Sequence, residues 1–223
     1  MESFRMIMLT PKQQEYAKYG VYAAASVLFL VIIVGGYVMY HTRREEQAHL
    51  AFVRAIDVYE NAKRAQGDAK KASLEIAHDL FVAGEKKHAR SSFGPLFKVY
   101  QSLVVADSGD LERSRDLLSE ALKGMSTTSD LYYVYATRLA LMLCDSTTEI
   151  LRGSGEKQLD ELANNKKNPI RDMALYYRGK MKFDALDYDG ALLYWKPLIE
   201  QFATGNEPSA WAKRAQDTLE YRI

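Results

Sequence analysis

Four histidines, one cysteine and a scatter of carboxylates are the residues of this chain whose types could carry chemistry. Metal binding would require imidazoles or thiolates at ligand spacing. His41, His49, His78 and His88 show no H-x-x-x-H pair, and no histidine–cysteine cluster exists. Cys144 closes the apolar run "RLALMLC", where a thiol behaves as a small buried hydrophobe rather than a nucleophile, and one cysteine excludes an intrachain disulfide. "RGSGEK" at 152–157 has the look of a phosphate loop but lacks the preceding strand and the glycine spacing, so it reads as an interhelix turn. There is no G-x-S-x-G and no dinucleotide fingerprint. Asp184, Asp187 and Asp189 fall in "DALDYDG" and read as turn carboxylates. No catalytic, metal or cofactor-binding residue and no cofactor is therefore expected, and the chain does not read as an enzyme.

The chain has 223 residues, 48% apolar and 26% charged, the balance of a folded protein with room for one domain and accessories. Lys and Arg total 30 and Asp and Glu 29. The first forty residues hold Arg5, Lys12 and Lys18 against Glu2 and Glu15, which leaves 27 of each sign beyond them. That neutrality argues against a nucleic-acid surface, which needs clustered excess cations. No small-molecule substrate is evident either.

From Gly20 to Met39 the sequence "GVYAAASVLFLVIIVGGYVM" has no charge. A helix of that length rises about 30 Å, the thickness of a bilayer's hydrocarbon core. Tyr16, Tyr19 and Tyr22 flank one end and Tyr37 and Tyr40 the other, as amphipathic rings at two interfaces would. "YHTRREE" follows the apolar core where a cleaved signal would carry small residues, so the expectation is an uncleaved single-pass anchor. Flanking cations balance, with Arg5, Lys12 and Lys18 before it and Arg43, Arg44 and Arg54 after it, and charge leaves the orientation open. Gly20, Ala24, Gly35 and Gly36 are candidate docking positions for another membrane helix.

Beyond Tyr40, helical periodicity dominates. Leu50, Val53, Ile56 and Tyr59 carry a helix to about Ala65, "QGD" breaks it, and Lys70 to Val82 forms a second segment with Leu74, Ala77, Leu80 and Phe81 on one side. "AGEKKHARSSFGP" then interrupts the pattern. Two later stretches share a grammar. In "QSLVVADSGDLERSRDLLSEAL" Ser102 and Ser114 are twelve apart around "DSGDLE", and in "YYRGKMKFDALDYDGALLYW" Gly179 and Ala191 are twelve apart around "DYDG". Small residues at that spacing let two antiparallel helices approach, with Tyr188 and Trp195 filling the space between them. "DLYYVYATRLALMLC" is a third such first helix, with Ala140 at its small position; its partner "GEKQLDELANN" follows an irregular "DSTTEILRGS". Pro197 should bend the last pair's second helix. "NEPSAWAKRAQDTLEYRI" makes a terminal lid, with Asn206 as cap, Pro208 in the first turn, and Trp211, Ala215 and Leu219 facing the stack.

The fold expected is all-α: a short segment (1–18), a transmembrane helix (19–40), a connecting helix and first helical pair (41–92), then a helical-repeat solenoid with a C-terminal capping helix (93–223). Its grammar resembles the tetratricopeptide repeat. Mapped on that pattern, the inner wall is Leu96, Val99, Leu103 and Ala106, then Val134, Thr137, Leu141 and Cys144, then Met173, Tyr176, Lys180 and Phe183. This wall is mostly apolar, which suits a helix or extended apolar segment of a partner better than an acidic tail. The outgoing helix 43–65 could instead cover it. Tyr176 and Phe183 are the candidate anchors.

The whole arrangement is similar to the YfgM family of bacterial inner-membrane proteins. The likeness runs from about Lys12 to Leu219 and is carried by "SFGPLFKVYQSLVVADSGDLERSRDLLSEAL" and "RDMALYYRGKMKFDALDYDGALLYWKPLI". It implies a cytoplasmic N-terminus and a periplasmic C-terminal domain. It also implies association with Sec translocon subunits and a membrane-anchored, PpiD-like chaperone near emerging polypeptides. The alternative is a membrane-anchored scaffold of an envelope complex unrelated to secretion.

Overall fold

Helical periodicity becomes helix throughout the computed structural model, which describes the backbone of residues 11–204 and 207–220 and the side chains of 28–204 and 207–220. Among the described residues there are nine α-helices and no strand. They are α1 (Pro11–Arg64), α2 (Gly67–His88), α3 (Gly94–Asp107), α4 (Leu111–Lys123), α5 (Asp130–Cys144), α6 (Glu149–Asn164), α7 (Arg171–Asp184), α8 (Tyr188–Phe202) and α9 (Ala210–Glu220). The chain divides into two compact units, 1–50 and 51–223.

In the first unit, α1 starts on Pro11, whose missing N–H is an orphan at a helix start in any case. The apolar run from Leu28 to Tyr40 is exposed to solvent, with Phe29 at 65% and Ile32 at 63%. Among the described residues no helix is long and apolar enough to cross a membrane. The anchor expected over 19–40 lies partly outside them, because side chains before Leu28 are not described.

In the second unit the rest of α1 buries Phe52, Ala55, Tyr59 and Ala62, an i, i+3, i+7, i+10 stripe. Leu50 and Val53, which helped to mark the helix in the sequence, are 62% and 40% exposed. The chain reverses at Gly67, whose φ of +59° suits a residue without a Cβ. α2 buries Leu74, Ala77, Phe81, Gly84 and His88, and so continues through "AGEKKH", expected to be a break. Gly84 belongs inside the helix because the Phe97 ring occupies the space where its Cβ would be. Pro95 starts α3 rather than merely ending α2.

Three helical hairpins follow, α3/α4, α5/α6 and α7/α8. In the first, Ser102 and Ser114 meet as expected: both are fully buried, their hydroxyls lie 2.9 Å apart, and Ser114 Oγ donates to the Ser102 carbonyl at 2.8 Å. In the third, the space at Gly179 is taken first by Trp195. The atoms nearest the glycine's absent Cβ all belong to Trp195, one turn past Ala191 along α8. Trp195 is 1% exposed and donates Nε1 to the Tyr176 carbonyl at 3.0 Å, so the glycine admits an indole and α8's Ala191 is buried beside it.

The middle hairpin corrects the expected irregular stretch. "EILRGS" is the first turn and a half of α6, and Gly155 of "RGSGEK" is a packing residue, not a turn. A Cβ there would lie 2.6 Å from the Cys144 backbone nitrogen and 2.7 Å from the Ala140 carbonyl oxygen. The small pair is thus Ala140 and Gly155, three residues further apart than the other pairs because α6 starts earlier before the crossing. Pro197 lies within α8, which continues through it. The i−4 carbonyl left without a donor belongs to Leu193, a residue 76% exposed.

α9 is capped by Ser209, whose Oγ accepts from the Trp211 N–H at 3.1 Å. Asn206, expected in that role, lies outside the described residues, and Pro208 precedes the helix. Ala212 and Ala215 are fully buried, while Trp211 and Leu219 pack half-buried against the last hairpin.

Candidate protein-binding surfaces

The inner-wall positions are brought onto the first helices of the three hairpins, but they differ in access. Val99 and Thr137 are fully buried. Val99 is sealed among Leu118, Ala121, Leu139 and Leu143, because its turn of α3 faces α4 and α5. Leu96 and Leu103 are half-buried against the cluster of Phe52, Tyr59 and Phe81, where the outgoing helix lies beside α3. Ala106, Leu141, Cys144 and Met173 are half-buried, and Val134 is 39% exposed.

On the last hairpin, Tyr176 stacks on Trp195 at 6.2 Å and meets Trp211 at 5.1 Å, while Phe183 lies 5.2 Å from Trp195 and 5.5 Å from Tyr188. Both rings keep part of their surface open. Lys180 is exposed and holds Asp184 at 2.7 Å, one turn along α7. That hydrogen bond keeps its ammonium protonated to higher pH than a free lysine. A cleft of about 710 Å³ opens where α4, α5 and α6 converge, floored by Leu122, Met125, Tyr132, Ala136 and Leu162.

The polar groups do structural work. Asp110 and Asp187 accept from the Arg113 and Gly190 backbone N–H groups at 3.0 and 2.9 Å and cap α4 and α8. His88 is buried with its ring stacked on Phe97, and no group of three His, Cys, Asp or Glu side chains able to hold a metal occurs among the described residues. Burial pushes the Cys144 thiol up to about 11, so it is protonated at neutral pH. Gly35 and Gly36 have open space around their Cα atoms, and the side chains around Gly20 and Ala24 lie outside the described residues.

The sequence reading missed Arg178. It is buried on α7 and forks onto Asp160 of α6, Nε to Oδ1 at 2.7 Å and Nη2 to Oδ2 at 2.9 Å, with Glu156 at 3.2 Å. Tyr194 of α8 donates to the same Asp160 Oδ1 at 2.9 Å. Burial opposes the guanidinium's charge, but the Asp160 bonds outweigh it and hold the group more firmly protonated. The available signal was an arginine beside the small residue of α7, preceded by carboxylates one turn apart at 156 and 160. Compared with family models, curated proteins and solved structures, the chain matches none.

Proposed function

We propose that this chain is a membrane-anchored, helical-repeat module that binds proteins, an ancillary subunit of the Sec translocon working with a PpiD-like chaperone near emerging polypeptides. The observation that carries the reading is the pairing of two features in one chain. A helix exposes an unbroken apolar run from Leu28 to Tyr40, and separately a series of small-residue hairpins leaves apolar side chains half-open on their first helices. An exposed apolar face is unfavourable in water and is stable against lipid or another membrane helix, and the uncharged sequence from Gly20 to Met39 has the length to span a bilayer. Stacked helical hairpins form extended surfaces suited to peptide or helix ligands. The proposed topology, from the family resemblance, has the N-terminus in the cytoplasm and the repeats in the periplasm of a bacterial inner membrane.

Affinity purification of the full chain in mild detergent tests the assignment. Translocon subunits should co-purify; a stable complex that lacks them points to the scaffold reading. Protease added to intact spheroplasts should digest the repeat unit, and digestion only after lysis would exclude the periplasmic topology.

A further inference from the structure

The first two hairpins carry the same five-residue stripe in register. Counted from the small crossing residue, positions −9, −6, −2, +1 and +5 are Phe93, Leu96, Tyr100, Leu103 and Asp107 around α3, and Leu131, Val134, Arg138, Leu141 and Asp145 around α5. Such i, i+3, i+7, i+10 spacing puts each set along one helix face.

On α3 that face is occupied. Phe52 of α1 lies 5.5 Å from Phe93 and 5.0 Å from Tyr100, and Tyr59 lies 6.2 Å from Tyr100 and donates its hydroxyl to Asp107 Oδ2 at 2.7 Å. Leu96 and Leu103 pack against the same cluster. Phe52 sits at the start of α3 and Tyr59 at its end, so the two helices run in the same direction. On α7 the corresponding face is closed by the chain itself, with Trp211 5.3 Å from Tyr177 and Lys180 paired to Asp184.

On α5 it is open. Leu131 is 44% and Val134 39% exposed, and Arg138 and Asp145 are exposed without an ion pair among the described residues. We propose that this stripe receives an amphipathic α-helix from a partner protein, laid along α5 as residues 52–62 lie along α3. The partner helix presents two apolar or aromatic side chains seven residues apart. It places a carboxylate against Arg138, where α3 has a tyrosine, because a guanidinium covered by a purely apolar face would lose its solvation without compensation. A hydroxyl or cationic donor near its C-terminal end meets Asp145, as Tyr59 meets Asp107. The assignment rests on the protein-binding reading above and specifies where and what it binds.

The chain's own docking helix supplies the probe. A fluorescent peptide copying residues 49–66 with Ile56→Glu places a carboxylate between the two rings, and the Ile56→Lys peptide is its control. Anisotropy titrations on the full chain in detergent should show the Glu peptide binding about tenfold more tightly than the Lys peptide, a difference of about 1.4 kcal/mol. Arg138→Glu should reverse the preference, Arg138→Ala should level it, and Val134→Asp should abolish binding of both. Leu193→Asp, on α8, should leave it unchanged. Equal affinities, binding that survives Val134→Asp, or no binding at all would overturn the assignment. If photocrosslinkers at Tyr176 or Phe183 still capture a partner in that event, protein binding stands and only the α5 site falls.

Discussion

Leu186 has a backbone φ of 64° and is 71% exposed. It occupies the α7–α8 turn where the α3–α4 turn has Gly109 at φ 95°. A branched side chain in the left-handed region is held there at a cost, and its exposure returns little burial. Leu186→Gly should therefore stabilise the protein by about 0.5–1 kcal/mol, raising the melting temperature by roughly 1–4 °C for a domain of this size. A lower melting temperature would show that the leucine packs usefully. Cys144 gives a pH signature. Its thiol ionises near 9 when unfolded and near 11 when folded, so between those values the folded chain binds the extra proton. Its contribution to stability is thus complete below about pH 9 and declines as pH rises towards 11. Denaturant titrations at pH 8 and 10.5 should show a smaller loss for Cys144→Ala than for the unaltered protein, and an equal loss would remove the thiol as the cause.

Among the elements, the middle hairpin shows how packing reassigns a residue. Gly153 and Gly155 look alike in "RGSGEK", yet nothing lies within 4 Å of a Cβ at Gly153, while one at Gly155 meets the α5 backbone. Backbone cannot swing aside as a side-chain tip can. Gly153→Ala should stabilise α6 by about 0.5–1 kcal/mol through helix propensity. Gly155→Ala should destabilise it by about 1–3 kcal/mol through overpacking. Chemical denaturation of the two variants checks the pair, and matched effects would mean that α5 and α6 do not cross there. The twelve-residue spacing was legible for Ser102 and Ser114 because both ends use the same small hydroxyl. It was only half legible for Gly179, because a tryptophan four residues past Ala191 competes for the same gap and fills it better.

Within the 51–223 unit, one polar assembly ties consecutive hairpins together. Arg178, Asp160 and Tyr194 join α7, α6 and α8 beside an apolar cluster, and Arg171 adds a bond from Nε to the Ala163 carbonyl at 2.6 Å. Removing the guanidinium loses its fork and its packing, while Asp160, 33% exposed, keeps water and Tyr194, so Arg178→Ala should destabilise by about 1–3 kcal/mol. Arg178→Lys should recover only part of it, since an ammonium cannot fork. If thermal melts place Arg178→Ala within error of the parent, the apolar cluster around Trp195 and Leu198 holds the junction without it.

The helices, their order and the positions of most turns can be read along the chain, because they follow from periodicity, caps and glycines over a few neighbouring residues. The three first helices, the small residues at their centres and the lid of Trp211, Ala215 and Leu219 were all visible that way. Which side of each helix is covered depends on how the helices pack. Of the candidate wall positions, Val99 is sealed, Leu96 and Leu103 lie against the outgoing helix, and Val134 is open. Periodicity identifies a face but not what comes to rest on it; that depends on contacts between residues forty or more positions apart, such as Tyr59 with Asp107, which no local pattern encodes.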